Sequence, residues 1–137
     1  MSNIKKIGLT GSVTYENKIK IKELIYKLKQ QYGSDFQIIG LGDRNGADKY
    51  VKKYALELGC NYGEMNAPHT TRNLYSLLAE SFYDKPFSPR YISIRDKIYA
   101  NTIDMAIIFD NNQVMETKIK NIFNSLKRAN KKTVVVS

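Results

Sequence analysis

Three short polar segments follow apolar stretches of the chain, and two of them contain glycine. They are Thr10–Ser12, Gly42–Asp48 and Asp110–Asn112. A glycine lets a phosphate or ribose approach the backbone because no Cβ intervenes, and the N–H groups at the start of a following helix attract anions. The second segment is neither a Walker loop nor the strict dinucleotide fingerprint. It is therefore either a cradle for an anion or a purely structural turn.

Other side chains could bind a phosphorylated ligand directly. The planar guanidinium of Arg95 suits a phosphate held through two N–H groups, although Arg95 could equally pair with Asp96 or Asp104. Asp48 and Asp110 could accept hydrogen bonds from ribose hydroxyls. Both also have local explanations, because Asp48 suits the start of a helix and Asp110 suits a turn after a strand.

The region from residue 66 to residue 90 is irregular and contains all 3 prolines of the chain. We interpret it as an insertion or lid over the core, in which Leu74–Phe82 could form a short helix. His69 could act as an acid or base near neutral pH, or simply lie exposed. Aromatic side chains in and beside this region could stack on a base, or could pack the insertion or a subunit contact: Tyr75, Phe82, Tyr83, Phe87 and Tyr91.

The composition limits the possible classes of protein. The 137 residues include 22 Lys and Arg against 13 Asp and Glu, a net charge of +9 that favours phosphorylated or polyanionic partners, or solvated helix faces. The length and the 42% hydrophobic fraction predict one domain spanning residues 1–137. One cysteine and one histidine argue against disulfides and zinc, so no metal or cofactor is predicted. The absence of a long apolar run predicts a cytoplasmic protein.

Apolar residues alternate between strand-like and helix-like patterns along the chain. The predicted strands are residues 4–9, 36–39, 60–65, 105–109 and 133–136, and the predicted helices include residues 21–28, 47–58, 91–101 and 119–126. This alternation predicts an α/β fold with three layers, in which helices cover both faces of a mostly parallel sheet of about five strands. Ligands bind such sheets beyond the carboxyl ends of the strands, where the three polar segments lie.

Together these segments resemble the SLOG superfamily, most closely its YspA/YpsA-related branch, with the LOG proteins and DprA as more distant relatives. Gly-Ala-Asp at the opening of a helix, here Gly46–Asp48, is the most specific element. The remaining matches span nearly the whole chain except residues 66–90: Gly8–Ser12, Gly42–Asn45, Tyr54, Ala55, Gly59, Arg95 nine residues before Asp104, Ile107–Asp110, Thr117 and Lys118.

The resemblance implies a Rossmann-like fold that binds nucleotides or nucleotide-derived molecules such as ADP-ribose. It implies that the first strand contributes Thr10, Gly11 and Ser12 to the ligand. It places Gly42, Arg44, Asn45, Gly46 and Asp48 around phosphate and ribose. Arg95 matches an arginine that faces the pocket, and Thr117 matches the threonine of a Gly-Thr pair. The family often forms dimers or larger assemblies, so the resemblance predicts a homo-oligomer.

The chain also departs from the family pattern. Asp43 and Glu116 stand where the family has glycines, which weakens the case for close phosphate contact there. The glutamate associated with N-glycosidic cleavage in the LOG phosphoribohydrolases is here Lys120, and lysine cannot stabilise an oxocarbenium-like centre or activate water. These differences favour a binding protein over an enzyme.

The sequence therefore leads to one hypothesis and two alternatives. The hypothesis is a protein that binds a nucleotide-derived small molecule as a sensor or sequestering protein, and the richness in Lys, Asn, Ile and Tyr is compatible with a phage source. The first alternative is an N-glycosidase, which requires two carboxylates facing one pocket, drawn from Asp43, Glu64, Asp110 and Glu116. The second is a protein that binds single-stranded nucleic acid, which the DprA kinship and the charge permit.

Overall fold

A computed structural model describes residues 4–111 and 116–137. Strands and helices alternate along it. In chain order they are β1 (Lys5–Gly11), α1 (Lys18–Tyr32), β2 (Phe36–Gly40), α2 (Ala47–Glu57), β3 (Asn61–Glu64), α3 (Pro89–Thr102), β4 (Met105–Phe109), α4 (Thr117–Arg128) and β5 (Lys132–Val136). Outside residues 66–90, every predicted strand and helix is present, with bounds that differ by a few residues.

The five strands form one sheet in the order β3-β2-β1-β4-β5, and every neighbouring pair is parallel. From β1 the chain moves outward to β2 and β3, then crosses to β4 on the other side of β1 and continues to β5. The carboxyl ends of β1 and β4 therefore mark the point where the connections diverge. This topology confirms the predicted Rossmann-like α/β fold.

The sheet separates two apolar cores. Helices α1 and α2 pack on one face, where β1 contributes Ile7 and Leu9. Helices α3 and α4 pack on the other face, where β4 contributes Ala106 and Ile108. Because both faces of the central strands are buried, these strands are continuously apolar rather than alternating. None of the helices within the described residues is long and apolar enough to cross a bilayer.

Helix α3 begins two residues earlier than the sequence pattern predicts. Ser88 caps it, since its hydroxyl accepts a hydrogen bond from the backbone N–H of Arg90, and Pro89 occupies the first turn. Both residue types favour a helix start, but neither contributes to an apolar stripe. The earlier start matters because the first turns of α3 border the cavity described below.

The predicted short helix within residues 74–82 is wrong. That region contains only a single turn of 3-10 helix at Glu80–Phe82, and Leu74 is 88% exposed. The segment instead packs through polar contacts around the buried side chain of Asn66. Its carbonyl oxygen accepts hydrogen bonds from Ser76 Oγ (2.7 Å) and from the hydroxyl of Tyr83 (2.8 Å). Contacts of this kind leave no periodic apolar signal in a sequence.

Candidate ligand-binding site

A cavity of about 640 Å³ opens at the carboxyl edge of the sheet, on the side of α3 and α4. This volume is typical of small-molecule sites. Its walls come from the loop after β2, the irregular region of residues 66–90, the first turns of α3 and the start of α4. The lining residues are Val13, residues 41–45, Ala67, His69, Thr70, Phe87, Pro89, Ile92, Arg95, Asp96, Thr117, Lys118 and Asn121.

Behind this cavity, the buried carboxylate of Asp48 connects three parts of the chain. Its side chain is 0% exposed. Oδ1 accepts a hydrogen bond from the hydroxyl of Thr10 (2.6 Å), and Oδ2 accepts from the backbone N–H of Asp43 (3.1 Å) and from Nζ of Lys118 (2.9 Å). Asp48 therefore holds the end of β1, the loop after β2 and the start of α4 together.

Lys118 bridges this buried carboxylate and a more exposed one. Its ammonium lies 2.9 Å from Oδ2 of Asp48 and 2.8 Å from Oδ2 of Asp43, and its own side chain is 17% exposed against 45% for Asp43. Burial lowers the pKa of Lys118, but the two carboxylates outweigh burial and raise the pKa above its ordinary value. Lys118 is thus a cation held at the cavity wall.

Arg95 lies beside this cluster and is 6% exposed. Its Nε donates to Oδ1 of Asp96 (2.9 Å), and another guanidinium nitrogen donates to the carbonyl oxygen of Met65 (2.9 Å). The predicted pair with Asp96 is therefore present, and Arg95 also lines the cavity, while its role in binding a phosphate stays a prediction. Asp104 is not its partner; Asp104 accepts from the backbone N–H of Lys6 (2.7 Å).

Asp96 shares the cavity wall with Arg95. Burial raises the pKa of Asp96, while the positive charges of Arg95 and Lys118 act in the opposite direction. A carboxyl group in such surroundings titrates closer to neutral pH than an exposed aspartate does.

The glycine at the start of α2 lies close to the backbone of the loop after β1. Gly46 has φ of 70°, and a Cβ there would overlap the carbonyl oxygen of Ser12 and the backbone of Val13. The N–H of Ala47 donates to that same carbonyl oxygen (3.0 Å). The missing Cβ of Gly46 thus makes room for the backbone of the loop after β1.

The side chain of Glu116 also contacts the loop after β1. One of its oxygens accepts a hydrogen bond from the hydroxyl of Ser12 (2.8 Å), and both oxygens lie 3.2 Å from the backbone N of Val13. The SLOG pattern that the sequence resembles has a glycine at this position, whereas this chain carries a carboxylate that binds the donors of the β1 loop.

The predicted site residues fall into two groups. Five line the cavity: Gly42, Arg44, Asn45, Arg95 and Thr117. Six lie outside the lining: Thr10, Gly11, Ser12, Gly46, Asp48 and Asp110. Of these, Thr10, Ser12, Asp48 and Asp110 are buried. Asn112 of the third segment lies outside the described residues. The ligand-binding roles of all of them stay predictions.

The other candidates are also distributed between wall and core. His69 and Phe87 both line the cavity and contact each other edge to face, with ring centroids 5.1 Å apart. Among the carboxylates considered for catalysis, only Asp43 lines the cavity, whereas Glu64 is buried and accepts from the hydroxyl of Tyr62 (2.8 Å). Within the described residues, no group of three or more His, Cys, Asp or Glu side chains could hold a metal ion.

Sequence reasoning missed Lys118 and Asp96 as site residues. One signal was available for Lys118, because a lysine in the first turn of a helix opposes the helix dipole and requires acidic partners. For Asp96 the signal was its spacing from Pro89 and Ile92, which places all three near one face of α3. Neither signal identifies a partner on another element.

The fold and the site define a class: a Rossmann-like α/β protein with a cavity of small-molecule size at the carboxyl edge of its sheet. No protein-family model matches the chain, and no curated protein matches it. Two solved structures of the molybdenum cofactor carrier protein from Chlamydomonas reinhardtii are similar to it, with TM-scores of 0.60 and 0.64 at 18% and 16% sequence identity. Each alignment covers 96% of this chain and 75% of the carrier protein chain. At this identity, the similarity supports the fold alone.

Proposed function

We propose that this protein is a SLOG-type domain that binds a phosphorylated, nucleotide-derived small molecule in the 640 Å³ cavity, as a sensor or sequestering protein. The observation that carries the proposal is the position of Lys118 and Arg95, whose cationic groups reach one cavity wall from two different helices. Cations that are held in place by buried partners recognise phosphate at a lower entropic cost than mobile surface lysines do.

The start of α4 supports the same assignment. Thr117 and Lys118 occupy its first turn and line the cavity. The N–H groups of a first helical turn attract an anion through the helix dipole. A phosphate in this corner would meet the helix terminus and the ammonium of Lys118 together.

The charges of the cavity determine how a phosphate would bind. Arg44, Arg95 and Lys118 face the carboxylates of Asp43 and Asp96, so the lining is nearly balanced. An anion that binds the ammonium of Lys118 must therefore displace a carboxylate from it. Asp43 is the candidate, because it is 45% exposed and lies between Gly42 and Gly46, whereas Asp48 would keep Lys118 in place.

Two comparisons with other proteins are in line with the proposal. The sequence resembles SLOG proteins, which bind nucleotide-derived ligands. The similar solved structures belong to a protein named for carrying the molybdenum cofactor, which is a small molecule. A carrier or sequestering role needs a cavity but no catalytic group. We also predict from the resemblance that the protein forms homo-oligomers, which light scattering would measure.

A panel of ADP-ribose, NAD, cyclic nucleotides and pyrophosphate tests the proposal by thermal shift and calorimetry. At least one ligand should raise the melting temperature by mass action. The Lys118→Met variant should lose that shift, while Lys120→Met, an exposed lysine on the same helix, should keep it. No shift with any member of the panel would refute the proposal.

One observation favours a second candidate function, cleavage of an N-glycosidic bond. Asp43 and Asp96 both line the cavity, and a pair of carboxylates in one pocket is what such cleavage requires. The raised pKa of Asp96 suits a proton donor. Release of free base from a nucleotide, lost in Asp96→Asn, would support this function.

A further inference from the structure

The carboxylate of Asp96 has one oxygen engaged and one available. Oδ1 accepts the hydrogen bond from Nε of Arg95 (2.9 Å), whereas no donor in residues 4–111 or 116–137 reaches Oδ2. The side chain is only 4% exposed, and it lines the cavity. A carboxylate oxygen accepts hydrogen bonds and cannot donate them when ionised. A ligand that excludes water from Oδ2 should therefore present a donor to it, because a polar atom left unpaired away from water is costly.

The chemistry of the donor follows from the neighbouring side chains. A phosphate has no suitable donor and would be repelled by the carboxylate. Pro89 and Ile92 lie on the same part of α3 as Asp96, and Phe87, which is 68% exposed, also lines the cavity. Apolar and aromatic walls fit the faces of a flat heterocycle better than the hydroxyl groups of a sugar.

We infer that Asp96 recognises the heterocycle of the ligand by accepting a hydrogen bond at Oδ2 from a ring N–H or an amino group. The inference rests on the proposed function, since it concerns a ligand of the same cavity. In this arrangement the positive and negative side chains of the cavity wall bind two different parts of the same ligand. Lys118, with the start of α4, takes the phosphate, and Asp96, with its apolar neighbours, takes the base.

Arg95 sets the position of Asp96 in this arrangement. Its guanidinium is fixed by the carbonyl oxygen of Met65 and in turn fixes Oδ1 of Asp96, so Oδ2 has a defined direction. Arg95 therefore adds a positioning role at the base site to the cationic role proposed for it at the cavity wall. Because the acceptor oxygen is fixed, it favours those bases that carry a hydrogen-bond donor at the matching position.

The test compares three nucleotides that differ at the base edge. AMP and GMP carry N–H donors on the six-membered ring, whereas purine riboside 5′-monophosphate carries none. Calorimetry on the wild-type protein should give binding of AMP or GMP at least about tenfold tighter than that of purine riboside monophosphate, as expected for a hydrogen bond to a charged group. This comparison needs no variant and does not depend on how a variant folds.

A variant then assigns the effect to Asp96. Asp96→Asn keeps the shape and an oxygen for Arg95, and it should reduce the preference to less than about threefold, because a bond to a neutral acceptor is weaker. Asp84→Asn, on an exposed aspartate outside the cavity lining, should keep the full preference.

Four results would overturn the inference. Equal binding of all three nucleotides, with Lys118→Met still abolishing it, would remove the role of Asp96 but keep the proposed function. A preference that survives in Asp96→Asn would do the same. A loss of affinity for 2′-deoxy-AMP, without any difference between bases, would assign Asp96 to the sugar. No binding of any nucleotide or of pyrophosphate would overturn both proposals.

Discussion

Nζ of Lys118 lies 2.8 Å from Oδ2 of Asp43, so a cation at the cavity wall is already paired with a carboxylate of the same wall. In the proposed resemblance to SLOG proteins, Asp43 stands at a position where those proteins have a glycine. If a phosphate binds Lys118 as proposed, it replaces the carboxylate of Asp43, and the strength of binding then depends on how firmly Asp43 is held.

Removing the competing carboxylate should strengthen anion binding. In Asp43→Asn we expect pyrophosphate to bind about 1.4- to fivefold more tightly, since a partly exposed ion pair contributes roughly 0.2–1 kcal/mol. Calorimetry on the variant and on the control Asp84→Asn measures this. Weaker binding in Asp43→Asn would mean that Asp43 contacts the ligand rather than competing with it.

Removing the buried carboxylate should destabilise the whole fold. Asp48→Ala leaves Lys118 without its buried partner and the hydroxyl of Thr10 without an acceptor, which should cost about 3–5 kcal/mol of the free energy of unfolding. Urea denaturation measures this loss. The matched control is Glu57→Ala, at an exposed pair with Lys22 whose side chains are both 49% exposed, and it should cost less than about 1 kcal/mol. Equal losses would show that Asp48 does not hold the three segments together.

Two glycines with similar backbone angles should respond differently to alanine. Gly46 and Gly33 have φ of 70° and 62°, but a Cβ at Gly46 overlaps the Ser12 carbonyl, whereas a Cβ at Gly33 meets nothing within 4 Å. Gly33→Ala should therefore cost only its sparsely populated backbone conformation, with φ of 62° and ψ of −122°, about 1–3 kcal/mol. Gly46→Ala should cost clearly more in the same chemical denaturation experiment. A smaller loss at Gly46 would mean that the β1 loop can move away from α2 freely.

Stability should fall at alkaline pH. Burial raises the pKa of Tyr62, Tyr83 and Tyr99, and of Tyr15, above the ordinary 10.0, with Glu64 adding to the effect at Tyr62. The unfolded chain then loses these protons before the folded one does, so their contribution is complete below about pH 10 and is lost as pH rises further.

The Tyr62→Phe variant tests this assignment. It should show a shallower decline of the unfolding free energy between about pH 9 and 11 than the wild type, because one of the linked protons is gone. Tyr26→Phe, at a tyrosine that is 52% exposed, should leave the slope unchanged. Identical slopes in all three proteins would contradict the linkage.

The sequence by itself determined the alternation of strands and helices and, through it, the parallel sheet and the edge at which a ligand would bind. These features depend on periodic apolar residues, such as the continuous run of Met105–Phe109, and on glycines that end or begin helices. Both are local signals, because the number of residues per turn or per strand repeat is a property of the backbone.

Only the tertiary structure decided which polar residues face the cavity and which lie behind it. Asp48 and Lys118 are 70 positions apart, and Ser12 and Glu116 are 104 positions apart, yet each pair forms a hydrogen bond. A sequence shows that these side chains are charged or polar, but the direction of a loop side chain and its choice of partner depend on how distant elements pack. The ion pairs of Lys118 with Asp43 at the cavity wall and with the buried Asp48 arise from that packing.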